Sequence, residues 1–257
     1  MKNLKKRKLI LFIFLICTLI IATKLSSVDA DTISAGDGNR IHFINLKSKS
    51  GSDAILLESR GHFALIDMGE DYDFPDGSNP RYPDRWGITM DNDQVLEDRL
   101  FRHLKQVGVE KLDFILGTHV HNDHIGSADE VLKHYPVDRF YLKRYADERI
   151  TTKWRLWDNL YNYDNAVKTA TERGVKLIQD ISDKDSHFTL GDMDIQLYNY
   201  KNEYDSNGNL KRVFDDNSNS IVAVVKVAGK RIYLGGDLDN VEGAEDKLGS
   251  VIGKVDM

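Results

Sequence analysis

The chain is poor in cysteine and in proline. Cys17 is the one cysteine among 257 residues, and it lies in an apolar N-terminal run. The rest of the chain therefore has no thiol with which to form a disulfide or perform thiolate chemistry. Three of the four prolines fall between residues 71 and 91, which predicts one long irregular loop of a kind that is usually functional or mobile. Internal repeats and low-complexity tracts are lacking as well.

Basic charge is scarce once the N-terminus is set aside. The formal net charge is −6, and the first thirty residues carry six basic residues and one acidic residue, a net of +5, which leaves −11 for the rest. Nucleic-acid-binding proteins generally need a basic face, so this composition argues against nucleic acid as a partner. The apolar share of 41% is enough for a substantial core in a soluble domain.

The long apolar run is confined to residues 1–30, which we predict to be a signal peptide. A basic stretch, "KNLKKRK", precedes the apolar "LILFIFLICTLIIA", and "SSVDA" offers small residues for cleavage after Ala30. The run is short for a membrane span. An uncleaved anchor is the alternative, and that segment would then be the only contact with a membrane. Residues 31–257 are expected to form one domain, secreted or associated with the cell surface.

Short apolar segments separated by turn residues predict alternating strands and helices. Strands are predicted at "IHFINL", "AILLES", "HFALIDMG", "KLDFILG", "RFYLKRY" and "VKLIQDI". Two hairpins are predicted further on, around Gly191-Asp192 and around Ala228-Gly229. This order of elements predicts an α/β domain built on mixed sheets.

Three helices are predicted between these strands. Residues 93–107 and 158–173 show amphipathic or helix-favouring patterns that end at a glycine. A third helix is predicted after Ser127, with Ser127 and Glu130 as a capping box and with its end before Pro136.

The segment "THVHNDHIG", residues 118–126, holds three of the eight histidines. His119 and His121 are two residues apart, so an extended backbone points both imidazoles the same way. Asp123 and His124 follow where the chain turns into a helix. Imidazole nitrogen and carboxylate oxygen suit zinc, and two neighbouring ions can activate water and polarise a phosphoryl or carbonyl oxygen. A histidine-rich surface loop is the alternative, but an H-x-H-x-D-H frame directly after a buried strand favours a metal site.

This frame resembles the signature of the metallo-β-lactamase superfamily. The resemblance implies an αββα sandwich and a centre of two zinc ions. It implies that the first ion is bound by His119 and His121 and the second by Asp123 and His124, which are also the candidate catalytic residues. It further implies that Asp237, in "RIYLGGD", bridges both ions, and that Asp67, in "LIDMG", supports the metal loop from behind its ligands.

The sequence departs from this family pattern in two places. The family has a third histidine for the first metal where this chain has "DDNSNS", so Asp216 is the expected substitute, Asn217 a weaker one and His187 a rival. The family also has a ligand histidine after the bridging aspartate, and no histidine follows His187 here. We therefore expect the domain to be incomplete, with the C-terminal part of the second half missing.

A closer resemblance runs through nearly all of residues 38–257. Segments such as "GHFALIDMGEDYDFPDGS", "RLWDNLY" and "HFTLGDMDIQLYNY" strongly resemble the catalytic module of the teichoic acid phosphorylcholine esterases, choline-binding enzymes of the cell wall. The resemblance implies zinc-dependent hydrolysis of a phosphodiester, which releases phosphorylcholine from teichoic acid or from a small phosphodiester. Because a ligand is missing, we expect little or no activity. The alternatives are another hydrolase of this fold, such as an extracellular nuclease, and an inactive, non-enzymatic fragment.

A choline substrate would need aromatic faces around its quaternary ammonium. "WRLWDNLYNY" places Trp157 and Tyr161 four residues apart, on one face of a helix. We predict that both belong to a cation–π cage, with core packing at helical spacing as the alternative.

Overall fold

Six strands form the first of two sheets in the computed structural model, which describes residues 38–49, 51–85 and 95–257. The strands are hydrogen-bonded in sequence order: β1 (Asn39–Phe43), β2 (Ala54–Ser59), β3 (His62–Met68), β4 (Phe114–Leu116), β5 (Arg139–Tyr141) and β6 (Lys176–Ile178). The pairs from β1 to β3 are antiparallel, and those from β3 to β6 are parallel. The predicted signal peptide lies outside the described residues.

The second sheet is antiparallel and contains both predicted hairpins. Its strands are β7 (His187–Leu190), β8 (Met193–Tyr198), β9 (Val222–Val227) and β10 (Lys230–Leu234), in the order β10-β9-β8-β7. The turns at residues 191–192 and 228–229 connect the paired strands, as the sequence predicts.

Five α-helices are described: α1 (Val95–Val107), α2 (Asn122–Ile125), α3 (Ala128–His134), α4 (Asn159–Glu172) and α5 (Ala244–Ile252). Side chains of α1, α3 and α4 pack on one face of the first sheet. α5 contributes Ile252 to a cluster on the outer face of the second sheet. Within the described ranges, no helix combines the length and the apolar character of a membrane span.

The core follows from strands that are buried on both faces. Along β3, Phe63 and Leu65 face the helices, whereas Ala64 and Ile66 face the second sheet. β4 alternates in the same way, which explains why "FIL" reads as a continuous apolar run. The result is a helix–sheet–sheet–helix order of layers, and the predicted α/β fold class is confirmed.

Some element boundaries differ from the prediction. The strand at "RFYLKRY" ends at Tyr141, and Trp157 precedes α4 rather than lying on it. The capping box is wrong, because the Ser127 side chain makes no bond to the helix N-terminus. The Ser127 hydroxyl instead donates to the backbone carbonyl of Glu70, 3.0 Å away, so a tertiary partner replaces the local one.

Glu97 in the first turn of α1 is a buried acid that has no ion-pair partner among the described residues. Burial, together with Glu130 and Asp129 of α3, raises its pKa from 4.5 to about 7. Between these two pH values the unfolded chain releases the Glu97 proton first, so this residue lowers stability as pH rises and its cost is complete above pH 7. We expect Glu97→Gln to raise the free energy of unfolding by about 1–2 kcal/mol at pH 8, after solvent screening, and to have almost no effect at pH 4.

Urea denaturation at the two pH values measures this difference. Glu110→Gln, an exposed glutamate just beyond the same helix, is the matched control. An equal gain from Glu97→Gln at pH 4 and pH 8 would contradict the assignment.

Candidate metal centre

Three strand ends bring the candidate site together. β3 and β4 are parallel neighbours, so Asp67 near the end of β3 and Thr118 just beyond β4 lie at the same edge of the first sheet. Asp237 follows β10 of the second sheet. Ligands in open α/β sheets commonly bind at this carboxyl edge of the strands.

Asp67 holds residues 118–126, here called the histidine loop, in place. Its side chain is buried, and its Oδ1 accepts the Thr118 backbone N–H at 2.8 Å. Its Oδ2 accepts the Thr118 hydroxyl at 2.8 Å and lies 2.7 Å from His124 Nδ1. The backbone of Asp67 has φ 54°, a left-handed conformation that aspartate tolerates better than most residues. Asp67 therefore fixes both the start of the loop and the orientation of the His124 ring.

The three imidazoles of the loop are buried and mutually close. His119 Nε2 lies 3.0 Å from His121 Nδ1, and the ring centroids of His119 and His124 are 4.2 Å apart. Burying three polar rings is unfavourable unless each has a polar partner, and Thr118, Asp215 and Asp67 lie within 3.1 Å of the three rings.

Carboxylates approach His124 from several directions. Its Nε2 lies 3.3 Å from Asp237 Oδ1 and 3.9 Å from Asp123 Oδ2. One nitrogen or oxygen from each of His119, His124 and Asp237 lies within 4.8 Å of the others. Asp53, which the sequence analysis missed, forms a second such group with Asp67 and His124.

Gly236 allows Asp237 to approach the loop. It has φ 52°, and a Cβ at this position would lie 2.5 Å from Thr118 Oγ1 and 2.7 Å from Thr118 Cβ. A side chain at 236 would therefore clash with the residue that Asp67 holds, which explains the "GGD" sequence physically.

The carboxylates repel one another at this edge. Burial raises the pKa of Asp123, and nearby Asp237 adds to the rise. Burial and the proximity of Asp67 likewise raise the pKa of Asp53. Burial alone would lower the pKa of His124, but Asp67, Asp237 and Asp123 together raise it well above its usual value. A divalent cation would neutralise this excess of negative charge.

Other features of the cluster also fit a metal ion. Burial, with His124 and His121 beside it, holds the pKa of His119 well below its usual value, which favours the neutral imidazole that binds metals. Among the described residues, Asn217 Oδ1 is buried without a hydrogen-bond partner, and Asp215 is the carboxylate within reach of His121 Nε2. Nitrogen and oxygen donors of this kind are the ligands that zinc prefers. The donor set and the unpaired atom therefore fit a divalent ion.

The residue near His121 is Asp215, not the expected Asp216. Asp215 Oδ1 lies 3.1 Å from His121 Nε2, and its Oδ2 accepts from Arg155. Asp216 instead accepts the backbone N–H of Val120 at 3.1 Å, and its other oxygen lies 3.9 Å from Arg149. The one-residue difference arises because the extended Asp215 precedes a 3₁₀ turn, so adjacent side chains point apart.

His187 does not join the imidazoles. It lies on β7 with a largely exposed side chain, and its Nε2 is 2.5 Å from Asp194 Oδ1 on the neighbouring strand. This pairing is cross-strand and local, so the structure favours a structural role for His187.

The two candidate aromatic residues have different neighbours. The half-buried Trp157 makes an edge contact with the His121 ring, with centroids 4.9 Å apart, and has φ 36°. Its carbonyl accepts from Arg85 at 3.1 Å. Tyr161 donates to Asp73 at 2.8 Å in the proline-containing loop. The structure thus brings Trp157, but not Tyr161, against the histidine loop.

The solved structures that match this chain share little sequence with it. The CmlA beta-hydroxylase mutant has 14% identity and a TM-score of 0.42, over 86% of this chain and 34% of that one. The metallo-beta-lactamase fold protein YhfI from Bacillus subtilis has 11% identity and a TM-score of 0.40, over 78% and 63%. MEM-A1, a subclass B3 metallo-beta-lactamase from a soil metagenome library, has 12% identity and a TM-score of 0.43, over 86% and 75%. The chain spans about a third of the first and under two thirds of the second.

The sequence matches a protein-family model but no individual curated protein. No curated protein matches the sequence at a significant level. The family model of the Metallo-beta-lactamase superfamily matches residues 49–246, which is most of the chain. On this match, the protein belongs to the metallo-beta-lactamase superfamily.

Proposed function

We propose that the chain is a zinc-dependent phosphodiesterase that releases phosphorylcholine from teichoic acid outside the cytoplasm. The superfamily supplies the coarser part of this statement, a metal-dependent hydrolase fold. The finer part is supported by one juxtaposition, an aromatic ring at Trp157 in contact with a buried His/Asp cluster. Aromatic faces bind quaternary ammonium groups, and divalent ions bind phosphoryl oxygens.

The metal would be held by the histidine loop and its carboxylates. We propose His119 and His121 for a first ion, with Asp215 beside them in place of Asp216. Asp123 and His124 would hold a second ion, with Asp237 between the two. Divalent ions held there would supply Lewis acidity toward a phosphoryl oxygen and lower the pKa of a water molecule.

The chain's own residues would orient the substrate. Asp123 and Asp237 are partly exposed, with side chains 35% and 41% accessible, so they can meet an incoming substrate. Asp67 holds His124 through Nδ1 and leaves Nε2 toward those carboxylates. Trp157 would hold the trimethylammonium group beside His121. Its left-handed backbone is rare for a bulky residue, and such strain is often found at functional sites.

A paired assay tests the reaction class. Zinc-loaded protein is expected to release p-nitrophenol from p-nitrophenyl phosphorylcholine slowly, in a chelator-sensitive manner, and to leave linear DNA intact. Slow turnover is expected because, among the described residues, Asp215 rather than a third histidine lies beside His121. Cleavage of DNA without cleavage of the ester would favour the nuclease alternative, and zinc binding without either reaction would favour a non-enzymatic protein.

Binding separates the role of Trp157 from slow chemistry. We expect zinc-loaded protein to bind phosphorylcholine about tenfold more tightly than 3,3-dimethylbutyl phosphate, an isostere in which an uncharged tert-butyl group replaces the trimethylammonium group. The reason is that a desolvated cation–π contact contributes up to about 2 kcal/mol. Trp157→Ala should remove this preference and Trp157→Phe should retain part of it, as measured by calorimetry. An unchanged preference in Trp157→Ala would place the ammonium elsewhere.

A further inference from the structure

A cavity of about 320 Å³ lies apart from the metal centre. It is bounded by the segment after β5, by residues of the 199–219 loop and by the start of α5. The candidate metal ligands do not line it. Its volume lies within the usual range for small-molecule sites.

Two buried cations form its inner wall. Lys143 is 5% exposed, and its Nζ donates to the carbonyls of Asn199 and Asn219 at 2.9 and 3.2 Å. An ammonium has three N–H donors, so one is left without a partner among the described residues and can meet a ligand. Arg149 is 3% exposed and donates to Asn219 Oδ1 at 3.1 Å, but its Nε is buried without a hydrogen-bond partner among the described residues.

The rim adds further positive charge. The lining contains the cations Lys143, Arg149, Lys201, Lys211 and Lys247 against the carboxylates Glu203 and Glu242. The formal net charge of this lining is +3, and Lys201 also pairs with Asp183, outside the lining, at 2.7 Å. Glu203 is already paired with Lys211 at 2.7 Å, and Glu242 accepts the Phe214 backbone N–H at 2.6 Å. Both carboxylates are therefore engaged, and the two buried cations share one buried carboxylate, that of Asp216, which lies 3.9 Å from Arg149.

Burying two neighbouring cations is unfavourable unless an anion compensates them. The nearest carboxylate to Arg149 is that of Asp216, at 3.9 Å, and it already accepts the Val120 backbone N–H. Burial and the adjacent Arg149 lower the pKa of Lys143 to about 7, although Asp216 opposes the shift, which is the direction expected when one carboxylate faces two buried cations.

We propose that this cavity binds an anion of the phosphate class, a tetrahedral oxyanion held by Lys143, Arg149 and Lys247. Arginine and lysine donors around a polar cavity match the oxygens of such a group. The anion could be free phosphate or one phosphate of a phosphodiester-linked polymer. The proposal does not depend on which reaction the metal centre performs.

Calorimetry on the metal-free full chain with inorganic phosphate tests the site. We expect saturable binding at one site per chain. Lys247→Glu, on the exposed face of α5, should weaken it at least about tenfold because a charge-assisted contact becomes a repulsion. Lys168→Glu, an exposed lysine on α4 outside the cavity, makes the same charge change and should alter binding less than about twofold, since salt screens distant surface charges.

Three results would overturn the proposal. The first is the absence of saturable binding, and the second is equal weakening by the two substitutions. The third is phosphate binding that disappears in His124→Ala, which would assign the anion to the histidine loop. If the site is found, tighter binding of a short glycerol phosphate oligomer than of inorganic phosphate identifies a polymer as the source, and equal binding identifies free phosphate. None of these binding measurements depends on esterase activity, so failure of this proposal and failure of the proposed function are separable.

Discussion

Asp67→Ala should lower the free energy of unfolding of the metal-free protein by about 3–5 kcal/mol, because it removes one partner of a buried charged network. Asp67 accepts from the Thr118 backbone and hydroxyl and contacts His124, all at 2.7–2.8 Å. Alanine leaves these buried donors unpaired and strains a backbone at φ 54°. Urea denaturation followed by circular dichroism measures the loss.

The same substitution should weaken zinc binding by about 10- to 100-fold, as is typical for residues that orient metal ligands. Asp67→Asn is the matched control, since asparagine keeps the volume and tolerates the left-handed backbone. It should retain part of the stability, and its remaining loss isolates the contribution of the charge. An Asp67→Ala variant within about 1 kcal/mol of the wild type would contradict the assigned role of this network.

His124→Ala should have the largest effect on metal affinity. His124 is common to both groups of candidate ligands, with Asp237 at 3.3 Å from its Nε2. Loss of a ligand should exceed the loss of an orienting residue, so we expect zinc affinity to fall by at least about 100-fold at that site. Competition with a chromogenic chelator measures the change.

His187→Ala is the control for that experiment, and it also tests the rival ligand. The His187 side chain is largely exposed and pairs with Asp194 on the neighbouring strand. We expect this variant to bind zinc with unchanged affinity. A loss as large as that of His124→Ala would return His187 to the candidate ligands.

Much of the fold could be predicted because its determinants are local in sequence. The apolar runs of β3 and β4 and the two glycine-containing hairpin turns specify their elements directly, and those predictions are confirmed. The H-x-H-x-D-H frame and the "GGD" turn are short motifs that are visible in the sequence itself. They resemble the signature of the superfamily that the family model matches. The metal-binding roles of these residues stay a prediction.

Tertiary contacts determine what the sequence could not predict. Asp53 precedes β2 without any pattern, and it reaches His124 because β2 pairs with β3. The sequence predicts Glu130 as a local capping partner of Ser127, yet the Ser127 hydroxyl donates to the distant Glu70 carbonyl. Asp215 and Asp216 are chemically identical, and only the turn that follows decides which one faces His121.

The central claim is that the histidine loop, with Asp237, holds divalent metal. Anomalous diffraction at the zinc edge, from crystals of the full chain equilibrated with zinc, tests it most directly. We predict anomalous density at the histidine loop beside Asp237, where donor atoms of His119, His124 and Asp237 lie within 4.8 Å of one another. Zinc bound only at surface carboxylates, with the three imidazoles of the loop unliganded, would contradict the claim.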